Sequence, residues 1–276
     1  MKFSSKKFPK YYLLSRFERF FLQTSCYFPP KPRRARKQSD VKNINSFINT
    51  YENAFSSGLW SICKDKKILD FGCGEGGYVL ALAEKGAGKV VGFDIQDQFK
   101  YAKIEADRRT LDNISFIQGP SEDLPSEAFD VVISHDSFEH FEDPEYILSE
   151  MVRLTKPGGT ILIKFGPPWK NPWGRHMSGT IRKDRPWIHL IVPEKVIMRV
   201  HSVYHNEPIL NEKYAQLDGG LNKMTIKRFK KILDEQEDLE IIQFKVNPIY
   251  GLSIFKTPII HELFSSSVMT ELIKVK

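Results

Sequence analysis

Three groups of residues in this 276-residue chain have types and spacings that can do chemistry. The first is Asp70, Gly72, Cys73, Gly74 and Gly76, answered further on by Asp94 and Ile95. Glycines in such a run let the backbone approach a ligand where a Cβ would clash. Acids on either side suit a ligand that carries an ammonium and a pair of ribose hydroxyls. The second group is His135, His140 and His176. Histidine titrates nearest to neutral pH, so each is a candidate to take a proton from a hydroxyl. His176 is the first choice, because it follows the flexible Gly174 and adjoins Arg175. The third group is Trp169, Trp173, Arg175, Trp187 and His189, with Arg182 and Arg185 nearby. Aromatic and cationic side chains together suit an anionic or sugar-like acceptor, although arginine on aromatic rings is also ordinary packing.

The elements that must position the first group are legible around it. Ile68, Leu69 and Phe71 read as a short buried strand that runs into a glycine turn. Tyr78–Glu84 is helix-prone, Gly86 and Gly88 stop it, and Lys89–Asp94 is the next strand. A strand–loop–helix–strand unit ending in an acid places a nucleoside across the strand ends. Gly72-x-Gly74-x-x-Gly77 also meets the dinucleotide fingerprint formally, with Asp94 at the ribose position. A pyrophosphate, however, needs an electropositive helix N-terminus. Asp70 and Glu75 flank this loop, so a zwitterionic, sulfonium-bearing ligand suits it better.

The run LDFGCGEG (69–76) resembles motif I of the class I S-adenosylmethionine-dependent methyltransferases. The pattern SxxxxEHxxDP from Ser134 to Pro144, with KPGG at 156–159, resembles a broad small-molecule group that includes quinone-biosynthesis enzymes. The resemblance covers residues 40–165 and the C-terminal strands. It implies S-adenosylmethionine as cofactor. Asp70 and the Gly72–Gly76 backbone would hold its methionine end, Asp94 the ribose and Ile95 one adenine face, with Ser134 at the end of the fourth strand. Relatives place an Asp for the adenine amino group where this chain has Pro120. A proline offers neither an acceptor side chain nor an N–H, so that contact passes to the Ser121 backbone, Glu122 or Asp123. The implied fold is α/β, a Rossmann-like doubly wound seven-stranded sheet in order 3-2-1-4-5-7-6 with strand 7 antiparallel.

Further elements follow from pattern. Residues 114–119, 129–134, 239–246 and 270–276 read as strands, and KPGG is expected to end a helix before strand five. Asp40–Trp60 reads as one amphipathic helix, and Asp143-Pro144-Glu145 as a helix start. Asp136, Glu139 and His140 share a face if their segment is helical. Some quinone-precursor O-methyltransferases carry Glu-x-x-Glu-His at this place and bind a divalent metal. Here the first acid is the shorter Asp, and no metal is expected. Residues 166–224 separate strand five from the next helix by far more than an ordinary connection. They read as a cap inserted at the substrate end of the sheet, beginning with a rigid turn at GPPW (166–169). The expected domains are an arm and linker at 1–39 and a methyltransferase domain at 40–276.

The formal charge of +7 belongs to the arm. Residues 1–42 hold twelve Lys/Arg against Glu18 and Asp40, so +10 sits there and −3 on the rest. Tyr11, Tyr12, Leu13, Leu14, Phe17, Phe20, Phe21 and Leu22 interleave with Lys10, Arg16 and Arg19. Such a segment packs on the domain or on another subunit, or lies on an anionic membrane. Nucleic acid is not the expected partner, since a polybasic run offers no base readout. Three cysteines at no metal spacing, no secretory leader and no long apolar run point to the cytoplasm, with peripheral membrane contact as an option. The expected activity is O-methylation of a small metabolite or sugar/glycan precursor. The alternatives are C-methylation of a quinone or lipid precursor at a membrane surface, and a non-catalytic scaffold.

Overall fold

A computed structural model describes residues 8–28, 39–56, 58–177, 179–182, 185–209, 212–216, 220–249 and 258–276. The proline-basic linker at 29–37 and the loop at 250–257 lie outside the described residues. Seven strands form one sheet: β1 (Lys67–Phe71), β2 (Lys89–Asp94), β3 (Ile114–Gln118), β4 (Phe129–His135), β5 (Thr155–Phe165), β6 (Leu239–Pro248) and β7 (Ser265–Lys274). Their order is β3-β2-β1-β4-β5-β7-β6, as the sequence predicts. The first five pair parallel, and β7 is antiparallel to both β5 and β6. The central strands are apolar on both faces because helices cover both: Ile68, Leu69, Val131, Val132 and Ile133 are all buried.

The helices are α1 (Arg16–Ser25), α2 (Ser39–Lys42), α3 (Ile44–Phe55), α4 (Leu59–Cys63), α5 (Gly77–Glu84), α6 (Lys100–Arg108), α7 (Pro144–Leu154), α8 (Ile188–Ile191), α9 (Glu194–Tyr204), α10 (Ile226–Asp234) and α11 (Pro258–His261). Helices α2 to α6 pack their apolar residues on one face of the sheet, and α7 and α10 on the other. Helix α7 starts as its sequence predicts, with Asp143 accepting a hydrogen bond from the Tyr146 N–H at 2.9 Å.

Two expectations are corrected by local chemistry. The helix expected over Asp40–Trp60 is three helices. The Asn43 side chain caps α3 by accepting from the Ser46 N–H, and Ser56 ends it at φ 71°. KPGG does not precede the fifth strand but lies inside it. Strand β5 starts at Thr155 opposite Phe129 and shifts register before Thr160. Gly159 permits this, since a Cβ there would lie 2.9 Å from the Asp130 carbonyl oxygen.

A third core joins the arm to residues 166–224. Leu14, Phe21, Leu22 and Cys26 pack against Ile181, Ile197, Met198, Val203 and Tyr204. Backbone bonds tie the two together, Tyr27 N to Thr180 O at 3.1 Å and Arg182 N to Ser25 O at 3.0 Å. Glu18 turns inward to the Arg199 guanidinium at 2.7 Å. Burying Phe21 and Leu22 contributes about 1.5–3 kcal/mol each, so the arm is held as firmly as a domain helix.

Candidate active site

The glycine turn after β1 is held from two sides. Gly72 N and Cys73 N donate to the Phe93 carbonyl, at 2.8 and 2.9 Å. Asp94 accepts from Gly74 N at 2.8 Å through one oxygen and from Gln96 N at 2.9 Å through the other. Gly72 has φ 79°, and a Cβ there would lie 2.8 Å from the Ser137 Cβ, so only glycine fits. Ser137 fixes the same point from β4's side by donating to the Gly72 carbonyl at 2.8 Å.

Beside this turn opens a cleft of about 730 Å³ at the carboxyl ends of β1, β2 and β4, within the usual size of cofactor sites. Among the sequence-predicted residues, Gly72, Gly74, Asp94, Ile95, Ser121 and Glu122 line it, and so does His140. Ile95 is 74% exposed, an apolar surface left open at the cleft edge. Glu122 accepts from the Tyr146 hydroxyl at 2.7 Å, which holds its carboxyl below the usual range. Asp70, Cys73, Gly76, Asp123 and Ser134 do not line the cleft. Gly76 instead caps α5 at φ 79°, and Ser134 and Cys73 are buried.

Asp70 is fully buried and one of its oxygens has no hydrogen-bond partner among the described residues. Burial, and then the charge of Asp94, push its carboxyl up to about 7. A buried carboxyl without a partner is costly, and a cation seated over the glycine turn would relieve it. The residues therefore fit the ammonium and ribose of S-adenosylmethionine. The Tyr51 hydroxyl is likewise buried without a partner, with its ring stacked 4.4 Å from Tyr78. Tyr51 and the lining residues Ser137, Phe141 and Tyr146 escaped sequence reasoning. Only Tyr51 had a signal, its place on the helix before the glycine run.

A second constellation adjoins the cleft. Glu139, His140 and His176 bring one ligand atom each within 4.8 Å of one another. Phe138–His140 is a short 3-10 turn. Asp136, expected on the same face, turns away at φ 53° and pairs with Lys164 at 2.6 Å. One Glu139 oxygen accepts from Gly166 N at 3.0 Å, while the other is buried without a partner among the described residues. Burial raises the Glu139 carboxyl above its ordinary range, against the opposing pull of His140. The His140 Nδ1 meets the Gly220 carbonyl at 2.9 Å, so the end of the cap clamps this turn. The His176 ring lies 5.6 Å from that of His140, and its Nε2 is buried without a partner among the described residues. Burial and then the neighbouring His140 push His176 down to about 4, so it is neutral at pH 7.

His135 stands apart from this pair. It packs among Tyr51 and Tyr78, with ring centroids 5.2 and 4.6 Å away, and burial lowers it to about 4. The cap's aromatic and cationic residues do not line the cleft either. Trp169 packs on His189 and Tyr214, and His189 Nε2 meets the Trp169 carbonyl. Trp187 donates to the Lys170 carbonyl at 3.1 Å and lies against Phe264. Arg175 is buried and donates to the carbonyls of Pro172, Arg182 and Arg185. Trp173 is bonded through its backbone to the Asn171 side chain at 2.8 Å.

Residues 62–178 match a family model described as a methyltransferase domain. The ubiquinone biosynthesis O-methyltransferase of Neisseria meningitidis is 28% identical over 167 residues, 59% of this chain and 63% of that protein. The ajmaline N-methyltransferase of Rauvolfia serpentina is 38% identical over 104 residues, 36% of each. The chain thus spans less than two thirds of either relative. Among solved structures, an S-adenosylmethionine-dependent methyltransferase from Mesorhizobium loti superposes with a TM-score of 0.52 at 16% identity. It covers 83% of this chain and 100% of that one, a likeness of fold.

Proposed function

We propose that this chain is a class I S-adenosylmethionine-dependent methyltransferase that moves a methyl group to a hydroxyl oxygen of a small acceptor. The observation that carries this reading is the pairing of two sites. A glycine-turn cleft, with the unpartnered buried carboxyl of Asp70 directly before its lining Phe71 and Gly72, opens beside an imidazole pair, His140 and His176, backed by Glu139. Bound S-adenosylmethionine supplies a methyl already activated on a sulfonium. The chain's own residues must align the acceptor with it and remove a proton.

Asp70 in its ionised form takes the ammonium, and the outer lone pairs of Asp94 take the ribose hydroxyls. Ile95 lies against one face of the base, while the Ser121 backbone and the second Glu122 oxygen meet its edge. His140, the member of the pair that lines the cleft, receives the acceptor's proton. His176 sets its surroundings from the cap. Overall, the acceptor's O–H bond breaks and an O–CH₃ bond forms. The proton passes to imidazole and the sulfur leaves as a neutral thioether.

The acceptor class we favour is a small metabolite or sugar precursor, in keeping with the small-molecule names of the relatives. Cell extract incubated with labelled S-adenosylmethionine, then split into small-molecule, lipid, protein and nucleic-acid fractions, tests this. Label should appear in the small-molecule fraction, and label chiefly in RNA or protein would overturn it.

A second reading is favoured by the same donor set. One carboxylate and two imidazoles suit a divalent cation, and Glu139, His140 and His176 would hold it, where it would polarise the acceptor hydroxyl. Turnover measured after dialysis against a chelator, then with added Mg²⁺, Mn²⁺ or Zn²⁺, separates the readings. Full activity after chelation leaves the imidazole as the proton acceptor.

A further inference from the structure

The arm shows two faces of opposite character. Its inner face, Leu14, Phe21, Leu22 and Cys26, is consumed by the third core. Its outer face carries Tyr12 and Leu13 in the turn before α1 and Phe17 and Phe20 on the helix. Phe17 is 53% and Phe20 62% exposed. Phe17 and Phe20, three apart on α1, share one face, with Arg16 exposed beside them. Among the described residues no hydrogen bond or ring contact engages the side chains of Tyr12, Leu13, Phe17 or Phe20. A contiguous exposed apolar face marks a contact site.

Charge decides what covers it. Glu18, the one acid of α1, is turned inward and neutralised by Arg199, so the outward face of the helix has no carboxylate. The surrounding sequence is cationic, with Lys2, Lys6, Lys7 and Lys10 before it and Lys31, Arg33, Arg34, Arg36 and Lys37 after it. A second copy of the chain would bring like charge onto like charge. A base-stacking ligand has no use for Leu13. An anionic bilayer meets both needs, taking aromatic and aliphatic side chains into the headgroup boundary while lysines and arginines face the phosphates. No helix among the described residues is long and apolar enough to cross a membrane, so the contact is with the surface.

We infer that this outer face docks the protein on an anionic phospholipid surface. Because α1 is welded to the cap, and cap residues Ala215 and Gly220 line the cleft, docking fixes the cap side of the cleft against the membrane. The inference does not depend on the acceptor or on turnover. It is tested with the full chain in flotation assays. Phosphatidylcholine vesicles containing about one-third phosphatidylglycerol should be bound at least about tenfold more tightly than phosphatidylcholine alone. Added salt should weaken the binding. Phe17→Ser with Phe20→Ser should cut vesicle binding about tenfold or more, with the circular dichroism spectrum and S-adenosylhomocysteine binding unchanged. Should that variant misfold, Arg16→Gln is read instead and should lower binding to the anionic vesicles alone. Failure to bind, equal binding to both vesicles, or single-stranded RNA bound in place of vesicles would overturn the inference.

Discussion

The strand-end cleft and the cap contain the same kinds of residue and use them in opposite ways. In the cap, Arg175 directs its guanidinium at three backbone carbonyls of its own loop, and His189 and Trp187 do likewise. Beside the cleft, Asp70, Glu139 and His176 keep buried polar atoms with no partner among the described residues. Buried polar groups are normally satisfied. Arg175 Nε, His189 Nδ1 and the Tyr214 hydroxyl of the cap also lack a partner among the described residues, so position separates the two regions: none of these lines the cleft, whereas Asp70 directly precedes its lining Phe71 and Gly72, and Glu139 adjoins its lining His140. Residue type alone cannot tell these apart.

The largest expected effect attacks the cleft. Asp94→Ala removes a charged acceptor and frees the Gly74 and Gln96 N–H groups, so S-adenosylhomocysteine affinity should fall by about 2–4 kcal/mol. Calorimetry reads it, and unchanged affinity would place the cofactor elsewhere. Next comes the imidazole pair. His140→Ala or His176→Ala should lower kcat about a hundredfold with cofactor affinity intact. An unchanged kcat would make both histidines structural, as His189 is read to be.

The cap supplies the converse test. Arg175→Met should cost about 1–3 kcal/mol of stability by stranding buried carbonyls, seen as a lower Tm, while kcat of the folded fraction stays near normal. A large kcat defect without a stability loss would return Arg175 to the substrate.

The smallest effect is a pH dependence. The Asp70 carboxyl lies at about 7 in the folded chain against an ordinary 3.8. Its raised value destabilises the empty protein as pH climbs from 4 towards 7, and this levels off above 7. A cation binds the ionised form, so cofactor affinity should rise through pH 6 to 7 by up to about tenfold per unit, then plateau. Proton release on binding, read in buffers of different ionisation enthalpy, checks it, and flat affinity across this range would contradict the role given to Asp70.

How much of this was legible varied with the range of the interactions. The β1–turn–α5–β2 unit is local, so Ile68 to Asp94 announced strand, glycine turn, helix and ribose acid in order. The sheet order came with the resemblance to the methyltransferases rather than from any local pattern, and the observed order agrees with it. The break at Asn43 and Ser56 was hidden, since apolar spacing continues across both caps while the backbone does not. His176 meets His140 only because the cap folds back through the Gly220 contact, and no local pattern encodes that closure. Trp169, Arg175 and His189 misdirect for a related reason. An insertion needs its own small core, and that core draws on the side chains that also make pockets.

The central claim, that the cleft is an S-adenosylmethionine site, is tested most directly by isothermal titration of the full chain with S-adenosylhomocysteine and, separately, with NAD. Saturable binding of S-adenosylhomocysteine at one site per chain, with none of NAD, is the predicted result. Binding of NAD and not of S-adenosylhomocysteine would contradict it.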